Sequence, residues 1–244
     1  MRVERLYAEV VKELERRADV KGIEKEMRFH RTVGAGFKCY GIGAPEFKKI
    51  AAKFRRAFKE LSFEERFELA RKFFSSGYGG QMSFGTVLLK LNTKEMTPAD
   101  FGVIDEVGNC FNNWGTVDGF CIDVLQPLLL KYPKEVLELL KKWNKSESLW
   151  KRRASVVTFT RKIGASGKFT NEALELCDCL VWDEEDLVRK GVGWALKDCM
   201  RGDKERVKRY VKDLRRKGVS AVITLYAIRD LKGKEREEIL KTKI

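Results

Sequence analysis

The chain has 244 residues, 43% of them hydrophobic, which is enough to bury a sizeable core and excludes a disordered tail. Lysine and arginine total 50 against 36 acidic residues, a formal charge of +14 with a pI near 9.5. That is the footprint of a protein that meets polyphosphate, the alternative being a lysine-rich solvated surface. No window approaches the run of about 18 apolar residues needed to cross a membrane, and His30, the one histidine, offers little for zinc hydrolysis or a histidine-based triad.

The N-terminal stretch "MRVERLYAEVVKELERR" carries charges where a signal peptide needs an apolar run, so an intracellular, cytoplasmic protein is expected. Its Leu6, Val10, Val11 and Leu14 recur at helical spacing. The glycine-rich "TVGAGFKCYGIGAPE" reads as a loop bridging the N-terminal helices to the rest. Comparable helical stripes follow in "PEFKKIAAKFRRAF" and "FEERFELARKFF", and "SSGYGGQMSFG" reads as a turn between two helices. Pro45, Pro98 and Pro133 sit where first helical positions fall, whereas Pro127 lies inside an apolar pattern and predicts a kink or an end. "YPKEVLELLKKW" and "DKERVKRYVKDLRRKG" complete the helical series, and no alternating strand pattern occurs. The six cysteines lack paired C-x-x-C spacing, which predicts mostly buried thiols and no metal site.

A faint internal repeat turns this series of helices into a stack. "SESLWKRRASVVTF" superimposes on "EEDLVRKGVGWALK" when Leu149 falls on Leu187, a shift of 38 residues that puts Lys151 and Arg152 on Arg189 and Lys190. Helix-pair repeats of roughly 40 residues predict an all-α, HEAT-like or armadillo-type solenoid, one repeat domain over residues 1–244, with a concave basic groove. Asp118, the Arg153 region and the 191–194 region are expected along that groove.

Four groups of residues stand out for chemistry. In "NNWGTVD", Trp114 and Asp118 share one helix face a turn apart; a core tryptophan with a solvated aspartate is the plainer alternative. In "LWKRRASVV", Arg153 borders an apolar run, with Arg152 beside it, and a structural ion pair is its alternative. In "VRKGVGWALKD", Gly191 and Gly193 each cost a helix interior about 1 kcal/mol relative to alanine. That cost implies close approach by a neighbouring helix or a ligand, beside an exposed Trp194 with Lys190 and Lys197 on the same face. Lastly, Lys204, Lys208, Lys212 and Arg215 fall on one arc of a helix that can either track a phosphate backbone or simply face water.

"NNWGTVD", "SESLWKRRA" and "EEDLVRKGVGWALKD", with the upstream "GIGAPEFKKIA", resemble the DNA alkylation repair enzymes of the AlkD type over residues 31–229. The resemblance implies a HEAT-like superhelix and a monofunctional DNA glycosylase that excises cationic alkylpurines, chiefly of the 3-methyladenine and 7-methylguanine types, from double-stranded DNA, as a monomer without cofactor or metal. It makes Asp118 the catalytic aspartate, gives Trp114 and Trp194 the lesion-bearing backbone, and gives Arg153 a DNA contact at the site. Lys197 stands where the family has a basic phosphate contact. Gly43 departs from the pattern, replacing a longer polar residue that some members use near the duplex.

The chemistry suits these residue types. A purine alkylated at N3 or N7 is already cationic, so it leaves as a neutral base without a general acid, and the usual carboxylate pair of glycoside cleavage is unnecessary. One carboxylate then suffices to stabilise an oxocarbenium-like sugar and position water, and indole faces favour a nearby cation by about 0.5–2 kcal/mol. A non-catalytic helical-repeat protein that binds bent or branched DNA is the alternative, and a protein-binding solenoid with a basic surface is the blandest.

Overall fold

Every regular element among the described residues of this computed structural model is helical, with one isolated bridge between Lys38 and Tyr78 and no strand. The structure describes residues 1–29 and 36–242; His30 and the first four residues of the glycine-rich loop, 32–35, fall outside them. Packing divides the chain into two compact units, Met1–Pro127 and Leu128–Ile244.

The first unit runs through α1 (Arg2–Arg16), α2 (Val20–Phe29), α3 (Ala44–Lys59), α4 (Phe63–Ser75), α5 (Gly79–Asn92), a 3₁₀ turn (Pro98–Asp100), α6 (Phe101–Gly108) and α7 (Trp114–Phe120). Sequence signals account for the starts: Ser62 and Glu65 form a reciprocal capping box at α4, and Pro45 lies in the first turn of α3. The core is phenylalanine-rich. Phe84 of α5 is fully buried, its ring 5.0–6.2 Å from those of Phe47, Phe54, Phe58 and Phe73, and each such ring contributes roughly 1.5–3 kcal/mol by leaving water. The stretch read as a turn, "SSGYGGQMSFG", is helical from Gly79 onward. Gly77, at φ 78°, makes the expected turn between α4 and α5, whereas Gly85 serves packing: a Cβ there would stand 2.7 Å from the Phe74 ring, so α4 and α5 come closer than any side chain there permits.

Pro127 does not end its helix. After α7 a π-helical turn (Cys121–Leu125) leads directly into α8 (Gln126–Lys131), and helix is continuous from Trp114 to Lys131. The widened turn comes where the chain approaches a residue with no N–H to donate and a ring that crowds the preceding turn.

The second unit contains α9 (Pro133–Asn144), α10 (Leu149–Val157), α11 (Arg161–Ala165), α12 (Thr170–Asp178), α13 (Asp186–Gly202), α14 (Lys204–Arg216), α15 (Ala221–Ala227) and α16 (Gly233–Leu240). Helix α13 is its centre, packed against α10, α11, α12, α14 and α15. Buried Asn144 ties three helices together, its Nδ2 donating to Ser155 Oγ at 2.9 Å and to the Leu176 carbonyl at 3.1 Å. All six thiols are free, four of them buried. Burial pushes Cys39 up to about 11 and Cys199 up to about 12, so neither ionises near neutral pH.

Candidate functional site

Trp114 is the first residue of α7, and its position follows from a local network. Asn113 Oδ1 accepts the Thr116 N–H at 2.8 Å, and its Nδ2 donates to Thr116 Oγ1 and Asn112 Oδ1 at 2.9 Å each. Asn112 in turn donates to the Gly77 carbonyl at 2.9 Å. The turn before α7 is thus tied to the turn before α5. One helical turn on, Asp118 is half-buried, as is Trp114; the aromatic plane and the carboxylate share a helix face, neither sealed in the core.

Trp114 opens onto a cleft of about 590 Å³, also lined by Phe29, Phe47, Lys25, Lys48 and Gly43. The rings of Phe29 and Trp114 are 6.3 Å apart. Gly43 caps α3, and a Cβ there would meet nothing closer than Pro45 Cδ at 3.9 Å. The structure therefore brings together two positions that the sequence nominates separately, and the missing side chain at Gly43 leaves open space.

In the second unit, Arg153 of α10 is 6% exposed and its Nη1 donates to the Leu187 carbonyl at 2.5 Å. A Cβ on Gly191 of α13 would stand 3.5 Å from Arg153 Cγ, an ordinary contact. Gly193 is different: a Cβ there would fall 2.7 Å from Tyr226 Cβ and 3.1 Å from the Ile223 carbonyl oxygen. Close approach of a neighbouring helix, not of a ligand, accounts for Gly193. Trp194 is half-buried rather than exposed, with the Arg161 guanidinium 5.8 Å from its ring centroid.

Arg161 is a residue that sequence reasoning missed. Among the described residues it is the sole non-glycine with positive φ, 53°, a conformation that costs an L side chain on the order of 1–2 kcal/mol. It is held there because its N–H donates to Asp198 Oδ2 at 2.7 Å, and Asp198 is 1% exposed, paired with Lys197 at 3.1 Å and Arg201 at 3.5 Å. No sequence signal marks the spot, since arginine is not a turn residue and its anchor lies 37 residues on.

Most lysines and arginines nominated for phosphate contact are committed to partners within the protein. Arg152 joins Asp183 at 2.6 Å and donates to the Ser146 and Glu147 carbonyls, so it staples two loops. Lys190 pairs with Asp186 at 2.7 Å. Lys197 is 8% exposed and pairs with Asp198 and Asp230. The stripe on α14 faces α16: Lys204, itself exposed, meets Glu235 at 3.0 Å, Lys208 lies among Glu205, Glu235 and Glu238, Lys212 meets Glu238, and Arg215 donates to the Leu240 carbonyl. Helical phase shows which residues share a face but not which helix covers it.

These features define an all-α helical-repeat protein with, in one unit, an indole that lines a cleft and a carboxylate one helical turn on, and an indole–guanidinium pair in the other. Residues 10–231 match the model of the DNA alkylation repair enzymes, and the chain belongs to that family. No curated protein sequence matches it. Among solved structures, it is similar to a predicted DNA alkylation repair enzyme from Enterococcus faecalis, with a TM-score of 0.70 at 13% identity over 88% of this chain and 97% of that one. AlkD2 from Streptococcus mutans gives 0.55 at 21% identity over 90% and 96%. The Pseudomonas fluorescens alkylpurine DNA glycosylase AlkC, bound to DNA containing an abasic site analog, gives 0.53 at 15% identity over 98% and 65%. The fold is that of the AlkD and AlkC helical-repeat proteins.

Proposed function

We propose that the chain is a monofunctional DNA glycosylase that hydrolyses the N-glycosidic bond of cationic alkylated purines, of the 3-methyladenine and 7-methylguanine types, in duplex DNA. The observation that carries this reading is the placement of half-buried Trp114 and Asp118 a turn apart on one helix face, with Trp114 lining an open cleft, in a chain of the DNA alkylation repair family. As the C1′–N bond breaks, its electron pair neutralises the departing purine and the sugar becomes electron-poor. The Asp118 carboxylate stabilises that sugar and orients a water, whose oxygen bonds to C1′ and whose proton passes to the carboxylate or solvent. The indole of Trp114 lies against the sugar and favours its positive charge. Trp194 and Arg153 contact the backbone of the same duplex, Arg153 as a cation whose position is set by the Leu187 carbonyl. No metal or cofactor takes part, and the protein acts as a monomer.

The test is release of free base from methylated duplex, identified by mass spectrometry, by wild type and Asp118→Asn. The variant is expected to lose orders of magnitude in rate while still binding DNA; equal rates would remove Asp118 from the mechanism. The open space at Gly43 favours one other reading, a non-catalytic binder of bent or branched DNA, which would bind DNA and free no base.

A further inference from the structure

We infer that Arg161 is a DNA-positioning residue, its guanidinium carried beside Trp194 to engage a phosphodiester of the bound strand. The inference deepens the reading above and rests on its claim that the second unit contacts duplex DNA. Three observations point to it independently of the family's motifs.

The first is the pairing of cations in the second unit. Lys190, Lys197, Arg201, Lys204, Lys208 and Lys212 each have a carboxylate within ion-pair distance. Arg161 is exposed and, like Arg229 over Tyr226, pairs with no carboxylate among the described residues; its guanidinium lies 5.8 Å from the Trp194 ring centroid. A guanidinium beside an indole leaves N–H groups for an acceptor, and a phosphate oxygen pair matches them.

The second is the backbone. Glycine adopts a φ of 53° without strain, yet an arginine occupies the position, and strained conformations at exposed positions gather where a side chain must be aimed. The third is rigidity. The Asp198 carboxylate that fixes the Arg161 N–H is buried and held by two cations, and Gly164 of α11 lies so close to α13 that a Cβ would come within 2.9 Å of the Asp198 carbonyl carbon. The anchor of Arg161 and the ring it covers thus belong to one helix, and the pair is set before DNA arrives.

The experiment is fluorescence anisotropy of labelled, unmodified duplex over a series of salt concentrations, with thermal midpoints measured alongside. Arg161→Gly should weaken binding about tenfold at low salt and reduce the slope of log K against log salt by about one, while its thermal midpoint stays level or rises because the strain is gone. Arg161→Lys keeps the backbone and the charge and should retain the wild-type slope. Unchanged affinity and slope in Arg161→Gly would overturn the inference, as would an equal loss of slope in Arg161→Lys, which would assign the effect to backbone rather than charge. A wild type that binds duplex but frees no methylated base would sink the glycosylase reading and leave this measurement decisive; one that binds no duplex would overturn both.

Discussion

Asn113 accepts the Thr116 N–H through Oδ1 at 2.8 Å, and that bond sets the direction in which α7 leaves its cap and carries Trp114 and Asp118. Asn113 is 3% exposed, so alanine there removes the cap and leaves the Thr116 and Asn112 side chains short of a partner. Asn113→Ala should lower stability by about 1–2 kcal/mol, measured by urea denaturation. Base release should fall further than lost folded protein explains, because the indole and the carboxylate move together. A folded Asn113→Ala protein that releases 7-methylguanine at the wild-type rate would show that the cap does not position the site.

Gly191 and Gly193 look alike in sequence and are expected to behave oppositely. A methyl at Gly193 would sit 2.7 Å from Tyr226 Cβ, so α13 and α15 must separate, and Gly193→Ala should cost about 1–3 kcal/mol. At Gly191 the nearest atoms, on Val156 and Val157, are 3.4 Å away. Gly191→Ala should therefore stabilise by up to about 1 kcal/mol, since a helix-interior glycine is removed without a clash. Thermal midpoints of the two single variants suffice; equal shifts would contradict the packing.

The α14 stripe should contribute to stability and not to DNA affinity. Lys204 and Lys212 are paired with Glu235 and Glu238, and the Lys212 ammonium holds the Glu238 carboxyl below the usual carboxylate range. In a Lys204→Ala/Lys212→Ala double variant, the salt dependence of duplex binding should keep its wild-type slope, whereas a stripe that tracks phosphates would lose about two units. Each pair removed should cost about 0.2–1 kcal/mol. A slope reduced by two would restore the stripe to the DNA interface.

Particular residues show why some of this was legible in the sequence. The Trp114–Asp118 relationship needs only a helix through both, and four residues of spacing guarantee a shared face. Helices α3, α4, α9 and α14 announce themselves by apolar period and by Pro45, Ser62, Pro133 and Asp203 at their starts. The partners of α14 were hidden because Glu235 and Glu238 lie on a later, short helix whose docking depends on tertiary packing. In "SSGYGGQMSFG" the turn between two helices is borne out at Gly77, whose φ is 78°, whereas Gly85 marks close packing that only the Phe74 ring on another helix reveals. Arg161 was illegible for the same reason: its backbone conformation is imposed by Asp198 on another helix.

Acid sensitivity should begin in the first unit, at Glu13. This buried carboxylate of α1 meets Arg16 at 2.6 Å, Lys53 of α3 at 2.9 Å and Arg17 at 3.3 Å. The hydrogen bond from Arg16, then that from Lys53, pulls its pKa from 4.5 down to about 2. A carboxyl whose pKa is lower folded than unfolded binds fewer protons in the native state, so it adds stability at pH values above 4.5 that drains away as pH falls towards 2. Glu13→Gln cannot titrate. The variant should be less stable than wild type at pH 7, and the gap between them should narrow steadily from about pH 4.5 to 2 when urea midpoints are followed against pH. A gap of constant size over that window would mean that the charge of Glu13 does not hold α1 against α3.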